Sequence, residues 1–142
     1  AELLIKTLPS IEQGTAVAEK QPEESPTPYA AMITKQMGLL DFTKSAETLE
    51  RLVRGMNPWP SAYTFVNGKT LKVWKSSVSQ ETSDAQPGTV ILTDKAGIHV
   101  ACKEGVLLLT EVQLEGKKRM DAETFLRGYH MEQGTVFTDH KE

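Results

Sequence analysis

Hydrophobic positions repeat with a helical period shortly before the middle of the chain. Ser45 precedes this pattern as a helix N-cap, and Gly55 followed by Pro58 ends it. The spacing i, i+3, i+4, i+7 is typical of a helix with one buried face. The residues with this spacing are Leu49, Leu52, Val53 and Met56. The pattern therefore predicts one amphipathic helix that packs on a core.

Short apolar segments rich in β-branched residues follow this helix and predict strands. They cover residues 62–66, 69–78, 88–93, 97–102 and 106–114. Asn67-Gly68 separates the first two and is a strong hairpin signal, because a type I′ turn needs positive φ at both positions. A last short helix is predicted from Asp121, its N-cap, to Arg127, and the tail from Met131 has no periodicity. The elements predict a mainly β fold, namely a small antiparallel OB-like β-barrel with short flanking helices, preceded by an extended linker.

The first part of the chain differs in composition from the rest. Residues 1–12 have the pattern of an amphipathic helix whose packing partner is missing, so we expect an excerpt of a longer protein. Residues 13–38 are predicted to be a linker, because their first half is rich in Gly, Pro and Glu. Within it, Tyr29–Gln36 is predicted to form a short helix with Pro28 in the first turn. The compact domain is predicted to span residues 39–142.

Charge is divided unevenly along the chain of 142 residues, whose formal net charge is −3. Residues 43–80 hold six basic and two acidic side chains, a balance of +4. Residues 81–115 hold two basic and six acidic side chains, a balance of −4, and residues 116–130 hold four and two, a balance of +2. A protein with this division can present one basic face although it is acidic overall.

Residues that could carry chemistry are sparse. His99, His130 and His140 have no second ligand at metal spacing, and the chain has neither a nucleophile-elbow motif nor a glycine-rich phosphate loop. We therefore expect no catalytic residue and no metal site in this chain.

Cys102 is the only cysteine, and it is predicted to be a buried strand residue. A single cysteine favours a reducing compartment. The sequence contains neither an apolar run long enough for a membrane span nor a signal peptide.

Cationic side chains are the stronger candidates, and each has a plain structural alternative. On the helix, Arg51 and Arg54 are either anion ligands or the partners of the acidic residues four positions before them. Lys72 is either a ligand or a solvated strand residue. The loop with Lys117, Lys118 and Arg119 either binds phosphate or only keeps the protein soluble. Together these cations indicate a surface that binds a polyanion, with RNA as the natural target.

The two tryptophans also allow two interpretations each. Lys72 and Trp74 are predicted on one face of their strand and Lys75 on the opposite face, because side chains alternate along a strand. Trp74 is then either a core residue or a stacking platform, and the core is the favoured interpretation. Trp59 lies between two prolines and is predicted to anchor that corner by packing.

Several motifs in the same order resemble the C-terminal half of bacterial methionyl-tRNA formyltransferases, over essentially the whole chain. They are Tyr29-Ala…Ile33-Thr-Lys35…Asp41-Phe42, Leu49-Glu-Arg-Leu-Val-Arg-Gly-Met-Asn-Pro-Trp-Pro60, Lys72-Val-Trp74 and Gln113-Leu-Glu-Gly-Lys-Lys-Arg-Met120. The Asn-Pro-Trp-Pro corner combined with the Gly-Lys-Lys loop is specific to this family. Phe42 departs from it, since the family more often has Trp there.

The resemblance implies an enzyme that transfers a formyl group from 10-formyltetrahydrofolate to the amino group of methionyl initiator tRNA. Its catalytic centre would lie in an N-terminal domain that is absent here except for its last helix, residues 1–12. This chain would bind and position tRNA without a cofactor of its own. We expect a cytoplasmic monomer that contacts the N-terminal domain and no membrane. The expected tRNA-binding residues are Lys35, Arg51, Arg54, Lys72, Lys117, Lys118 and Arg119, with Lys35 taken from the resemblance.

Two alternatives stay open. Formyltetrahydrofolate hydrolases and sugar-amine formyltransferases resemble the chain through the same domain, and neither needs tRNA. The domain would then have a purely structural role, packing on its catalytic neighbour.

Overall fold

The structure is a computed structural model, and it describes residues 2–25, 27 and 29–141. Its elements in chain order are α1 (Glu2–Glu12), a 3-10 helix (Lys35–Gly38), α2 (Ala46–Gly55), β1 (Ala62–Val66), β2 (Lys69–Val78), β3 (Val90–Thr93), β4 (Ile98–Ala101), β5 (Val106–Leu114), β6 (Met120–Asp121) and α3 (Ala122–Gly128). They belong to two compact units, residues 1–32 and residues 33–142. Within the described ranges, no helix is both long and apolar enough to cross a bilayer.

The first unit contains α1, which confirms the predicted helix near the start of the chain. The helix includes Pro9, and none of its residues is buried. Leu4, Leu8 and Ile11 are each more than half exposed, as expected for a helix whose apolar side lacks a partner within its own unit. Residues 13–25 contain no strand and no continuing helix beyond the end of α1. The predicted position of Pro28 in a first helical turn lies outside the described residues.

The second unit is built on a six-stranded antiparallel sheet, which confirms the predicted mainly β class. Its strand order is β1-β2-β5-β4-β3, with the short β6 paired to β5. β1 and β2 form the hairpin predicted from Asn67-Gly68, and both turn residues have the positive φ that a type I′ turn requires, 47° and 69°. The neighbours β2 and β5 pair from Leu71↔Leu114 to Val78↔Leu107.

Two capped helices cover apolar parts of this sheet. The Ser45 side chain accepts a hydrogen bond from the backbone N–H of Thr48 at the start of α2, and Asp121 does the same for Thr124 in α3. Both predicted N-caps are therefore confirmed. Apolar side chains of α2, α3 and the inner sheet face form one buried cluster. It includes Leu49, Val53, Leu71, Val73, Ile98, Leu107, Leu109, Val112 and Phe125.

The C-terminal tail connects the two ends of the sheet, although its sequence has no periodicity. Thr138 exchanges backbone hydrogen bonds with Phe65 of β1, and Thr135 accepts one from Val90 of β3. Phe137 between them is buried against Phe42, with ring centroids 5.9 Å apart. β1 and β3 are therefore the two edge strands of an open sheet, and the tail hydrogen-bonds to both of them.

The short helix predicted at Tyr29–Gln36 is wrong. Thr34 is extended, and only one 3-10 turn forms, at Lys35–Gly38. Tertiary contacts override helix propensity here, since the Leu40 N–H donates to the Tyr63 carbonyl of β1. Gly38 packs so closely that an added Cβ would lie 2.2 Å from the Ser61 carbonyl oxygen.

Candidate functional site

Trp74 lies at the surface of β2, so its favoured interpretation as a core residue is wrong. Its side chain is half-buried, and its indole N–H donates to Gln113 Oε1 of β5 at 3.2 Å. The Arg119 guanidinium carbon lies 4.5 Å from the indole centroid and Lys72 Nζ lies 5.9 Å from it. Both distances are within the range of cation–π contacts. The structure therefore brings two of the predicted site residues, Lys72 and Arg119, together on one aromatic ring.

Glu111 of β5 holds the neighbouring cations in place. Its carboxylate accepts a charge-assisted hydrogen bond from Arg119 Nε and lies 3.0 Å from Lys75 Nζ. The hydrogen bond from Arg119, followed by that from Lys75, lowers the pKa of Glu111 from 4.5 to about 2. The same ion pair raises the pKa of Arg119. We call Lys72, Trp74, Lys75, Glu111, Gln113 and Arg119 the Trp74 cluster.

Arg54 reaches the same region from the end of α2. It lines a cleft of about 300 Å³ together with Asn57, Trp74 and Lys75. Asn57 Nδ2 donates to the Trp74 carbonyl at 3.1 Å, which ties the Asn-Pro-Trp-Pro corner to β2. The Arg54 guanidinium also pairs with Glu50 at 3.1 Å, but its side chain remains 71% exposed. Arg54 therefore forms the ion pair with Glu50 and still remains accessible to a ligand.

The loop after β5 borders the Trp74 cluster. Gly116 lines a shallow groove with Lys72 and Gln113. Gln113 Nε2 also donates to the Lys117 carbonyl at 3.0 Å, so one glutamine contacts both Trp74 and this loop. The Lys117 side chain lines the next cavity, beside α3, and Lys118 is exposed.

Three predicted site residues, Lys35, Arg51 and Lys118, are not among these contacts. Arg51 pairs with Glu47 at 3.2 Å one helical turn before Arg54, as its structural alternative predicted. Lys35 is exposed in the 3-10 helix next to β1, which is separated from β5 by β2. Their roles in tRNA binding stay predictions.

The corner residue Trp59 is also more exposed than predicted. The peptide bonds before Pro58 and Pro60 are both cis, and Ser61 has a positive φ of 68°. The Trp59 side chain is 59% exposed, so packing does not anchor the corner through this ring. The Asn57 hydrogen bond to β2 and the hydrogen bond from the Ser61 N–H to the Met56 carbonyl hold the corner instead.

Sequence reasoning missed Lys75, Glu111 and Gln113. Strand alternation placed Lys75 on the face opposite Trp74, together with Leu71 and Val73. The pairing of β2 with β5 shifts register on both sides of Lys75, and its side chain instead pairs with Glu111, which also binds Arg119. A lysine on the apolar face of a strand is itself a signal for such a bulge. Glu111 and Gln113 join the cluster because of the register in which β5 pairs with β2. That register cannot be read from the sequence.

Buried polar side chains elsewhere include two atoms without a hydrogen-bond partner among the described residues, Ser76 Oγ and His99 Nε2. His99 is buried in β4, where Nδ1 lies 3.1 Å from Ser79 Oγ and Nε2 lies 3.4 Å from Asp94 Oδ1. Burial opposes ionisation of Asp94, but the backbone N–H groups of Gly97 and Ala96 lower its pKa overall. Among residues 2–25, 27 and 29–141, no group of three or more His, Cys, Asp and Glu side chains is placed to hold a metal.

Cys102 is buried as predicted, but it lies directly after β4 rather than within a strand. Burial raises the pKa of its thiol to about 11. A thiol with this pKa stays protonated near neutral pH, which makes it a poor nucleophile.

Known proteins resemble this chain over most of its length. A protein named methionyl-tRNA formyltransferase from Agathobacter rectalis is 49% identical over 138 residues, covering 97% of this chain and 44% of that protein. A protein of the same name from Bacillus subtilis is 46% identical over 143 residues, covering 100% of this chain and 45% of that protein. The chain thus spans less than half the length of these relatives.

Solved structures show the same fold at lower identity. A variant of HypX from Aquifex aeolicus has a TM-score of 0.59 at 20% identity, covering 92% of this chain and 24% of that protein. HypX in complex with tetrahydrofolic acid also has a TM-score of 0.59, at 18% identity over 98% of this chain and 26% of that protein. The family described as formyl transferase, C-terminal domain, matches residues 32–130. The sheet, its two capped helices and this match together show that the chain belongs to the formyl transferase C-terminal domain family.

Proposed function

We propose that this chain is the C-terminal part of a methionyl-tRNA formyltransferase and that it binds and positions the initiator methionyl-tRNA. The parent enzyme would transfer a formyl group from 10-formyltetrahydrofolate to the methionine amino group at the start of translation, in the cytoplasm. The high identity to relatives of that name supports the parent activity. The position of Lys72 and Arg119 over the Trp74 ring, with Arg54 in the cleft that Trp74 also lines, supports the role of this part.

A positioning role follows from the physical chemistry of the Trp74 cluster. When exposed cations of the protein contact phosphates, the counterions around those phosphates are released. This release supplies affinity that does not depend on the base sequence. Holding the tRNA beside a neighbouring catalytic domain would convert part of that affinity into proximity of the reacting groups. An OB-like arrangement of the sheet, with the tail across its ends, would keep the cations on one rigid surface.

The folate donor would bind elsewhere in the parent protein. The apolar cavity lined by Leu114, Phe125 and Tyr129 has a volume of about 180 Å³. Small-molecule pockets usually measure about 300–1,000 Å³, so this cavity does not fit a folate. We assign this chain no step of the formyl transfer itself, because the resemblance implies that the catalytic centre lies in the N-terminal domain.

The test is a titration of labelled initiator methionyl-tRNA with this chain at two salt concentrations. For three phosphate contacts, a fourfold increase in salt should weaken binding by about 40-fold. The variant R54A/K117A/K118A should bind more weakly and with a shallower salt dependence. K44A/K95A/K103A is the matched control, because it also removes three positive charges, from exposed lysines where no site residue was predicted.

The structural alternative has a distinct signature. If the domain only packs on a neighbour, the triple variant will bind tRNA like the parent chain and only its thermal stability will change. Binding that does not respond to salt would also contradict the proposal.

A further inference from the structure

Trp74 has the geometry of a stacking surface. The hydrogen bond from its indole N–H to Gln113 fixes the ring on the outer face of the sheet. The Arg119 guanidinium, a flat and delocalised cation, lies over that ring at 4.5 Å. Its side chain is 41% exposed, so it can leave the ring without unpacking the core. A flat group of similar thickness can take its place.

Further aromatic rings share this face. Tyr63 pairs directly with Lys72 across β1 and β2, and residues that pair directly in a sheet point to the same side. Tyr63 also contacts Phe65 edge-to-face, with centroids 5.7 Å apart. Both rings are half-buried, like that of Trp74. Aromatic side chains interleaved with cations are the arrangement by which proteins bind single-stranded nucleic acid, because bases stack on the rings while cations follow the phosphates.

Glu111 makes the exchange of Arg119 reversible. The carboxylate keeps Arg119 over the ring in the free protein, and a phosphate oxygen offers the guanidinium an equivalent charged acceptor. Arg119 would thus move from Glu111 and the indole to a phosphate when RNA arrives. No covalent step is involved.

We propose that Trp74 is a stacking site for an unpaired base of RNA, which displaces the Arg119 guanidinium from the indole. This inference rests on the proposed function and deepens it, because it assigns the Trp74 cluster to a single-stranded segment of the tRNA. A cluster that contacted only duplex phosphates would not need a fixed, half-exposed indole at its centre.

Fluorescence tests the stacking directly, because the chain has only two tryptophans. The variant W59F leaves Trp74 as the only indole. Its emission is measured during titration with a short unstructured RNA strand, with an RNA duplex of the same composition and with inorganic polyphosphate. The single strand should quench Trp74 emission more strongly than the duplex, and polyphosphate should leave it nearly unchanged. The control variant W74F reports Trp59 emission, which should not change.

Binding measurements complete the test. Stacking on one aromatic ring is worth about fivefold to 150-fold in affinity, so W74L should weaken binding of the single strand within that range. W74Y should restore most of the affinity, and both variants should bind polyphosphate like the parent chain. Thermal unfolding checks that W74L and W74Y fold.

The outcomes separate the two proposals. If tRNA binds with the expected salt dependence but W74L binds the single strand as tightly as the parent chain does, the stacking site is refuted and the proposed function stands. Equal quenching by polyphosphate would likewise refute stacking, since phosphate alone would account for the signal. If tRNA does not bind even at low salt, the proposed function fails and the stacking site fails with it.

Discussion

Replacing Glu111 by Gln should change stability and tRNA affinity in opposite directions. The Glu111 side chain is 19% exposed and pairs with two cations, Lys75 and Arg119. Glutamine keeps the shape and one acceptor oxygen but removes the charge. The ion pairs across β2, β5 and the loop before β6 then weaken, while both cations become available to phosphate.

The loss of stability follows from the pKa of Glu111. Its lowering from 4.5 to about 2 corresponds to about 3 kcal/mol if solvent does not screen the pairs. The two partner side chains are 67% and 41% exposed, so we expect about 1–2 kcal/mol after screening. Because the folded-state pKa is depressed, this contribution is present above pH 4.5 and is lost as the pH falls towards 2. Urea unfolding of E111Q at neutral pH and at about pH 3 should therefore show a difference from the parent chain that shrinks in acid.

The gain in affinity comes from two released cations. Each additional phosphate contact steepens the salt dependence of log K by about 0.9, so E111Q should gain up to about 1.8 in slope and bind tRNA more tightly at low salt. E123Q is the matched control, because it removes the same charge from α3, where Glu123 pairs with Arg127 at 2.8 Å and lines a different cavity from the Trp74 cluster.

Anisotropy titrations of labelled tRNA over a range of salt concentrations measure both variants. If E111Q and E123Q change affinity equally, only net charge matters and the competition between Glu111 and phosphate is refuted. Weaker binding by E111Q would show instead that Glu111 positions the cations for RNA.

Three further predictions concern the fold. F137A should lower the free energy of unfolding by about 3–5 kcal/mol in urea titrations, because Phe137 buries its ring against Phe42 and anchors the tail; a loss below about 1 kcal/mol would contradict the packing role of the tail. G38A should cost about 1–3 kcal/mol through the clash with the Ser61 carbonyl, whereas the control G55A, with nothing within 4 Å of the new methyl group, should not destabilise. Cys102 should react with a chromogenic disulfide reagent only after denaturation, because it is buried and its thiol pKa is raised; rapid reaction of the native protein would contradict that burial.

Local chemistry in the sequence determined several elements of this protein. Asn67-Gly68 supplies both positive φ angles of the hairpin, so β1 and β2 have the predicted bounds. Ser45 and Asp121 cap their helices with their own side chains. Each of these signals acts within a few residues, which is why sequence alone predicted them.

Only tertiary structure decided which side chains meet. Trp74 pairs with Gln113 and Arg119, and those contacts depend on the register of β2 against β5 and on the turn that follows. The bulge at Lys75 reverses the side predicted by simple alternation. The tail carries no periodic pattern because backbone hydrogen bonds, rather than an apolar stripe, join it to both ends of the sheet. Sequence therefore determined most of the elements and the supply of cations, whereas long-range pairing placed Lys72 and Arg119 on one indole.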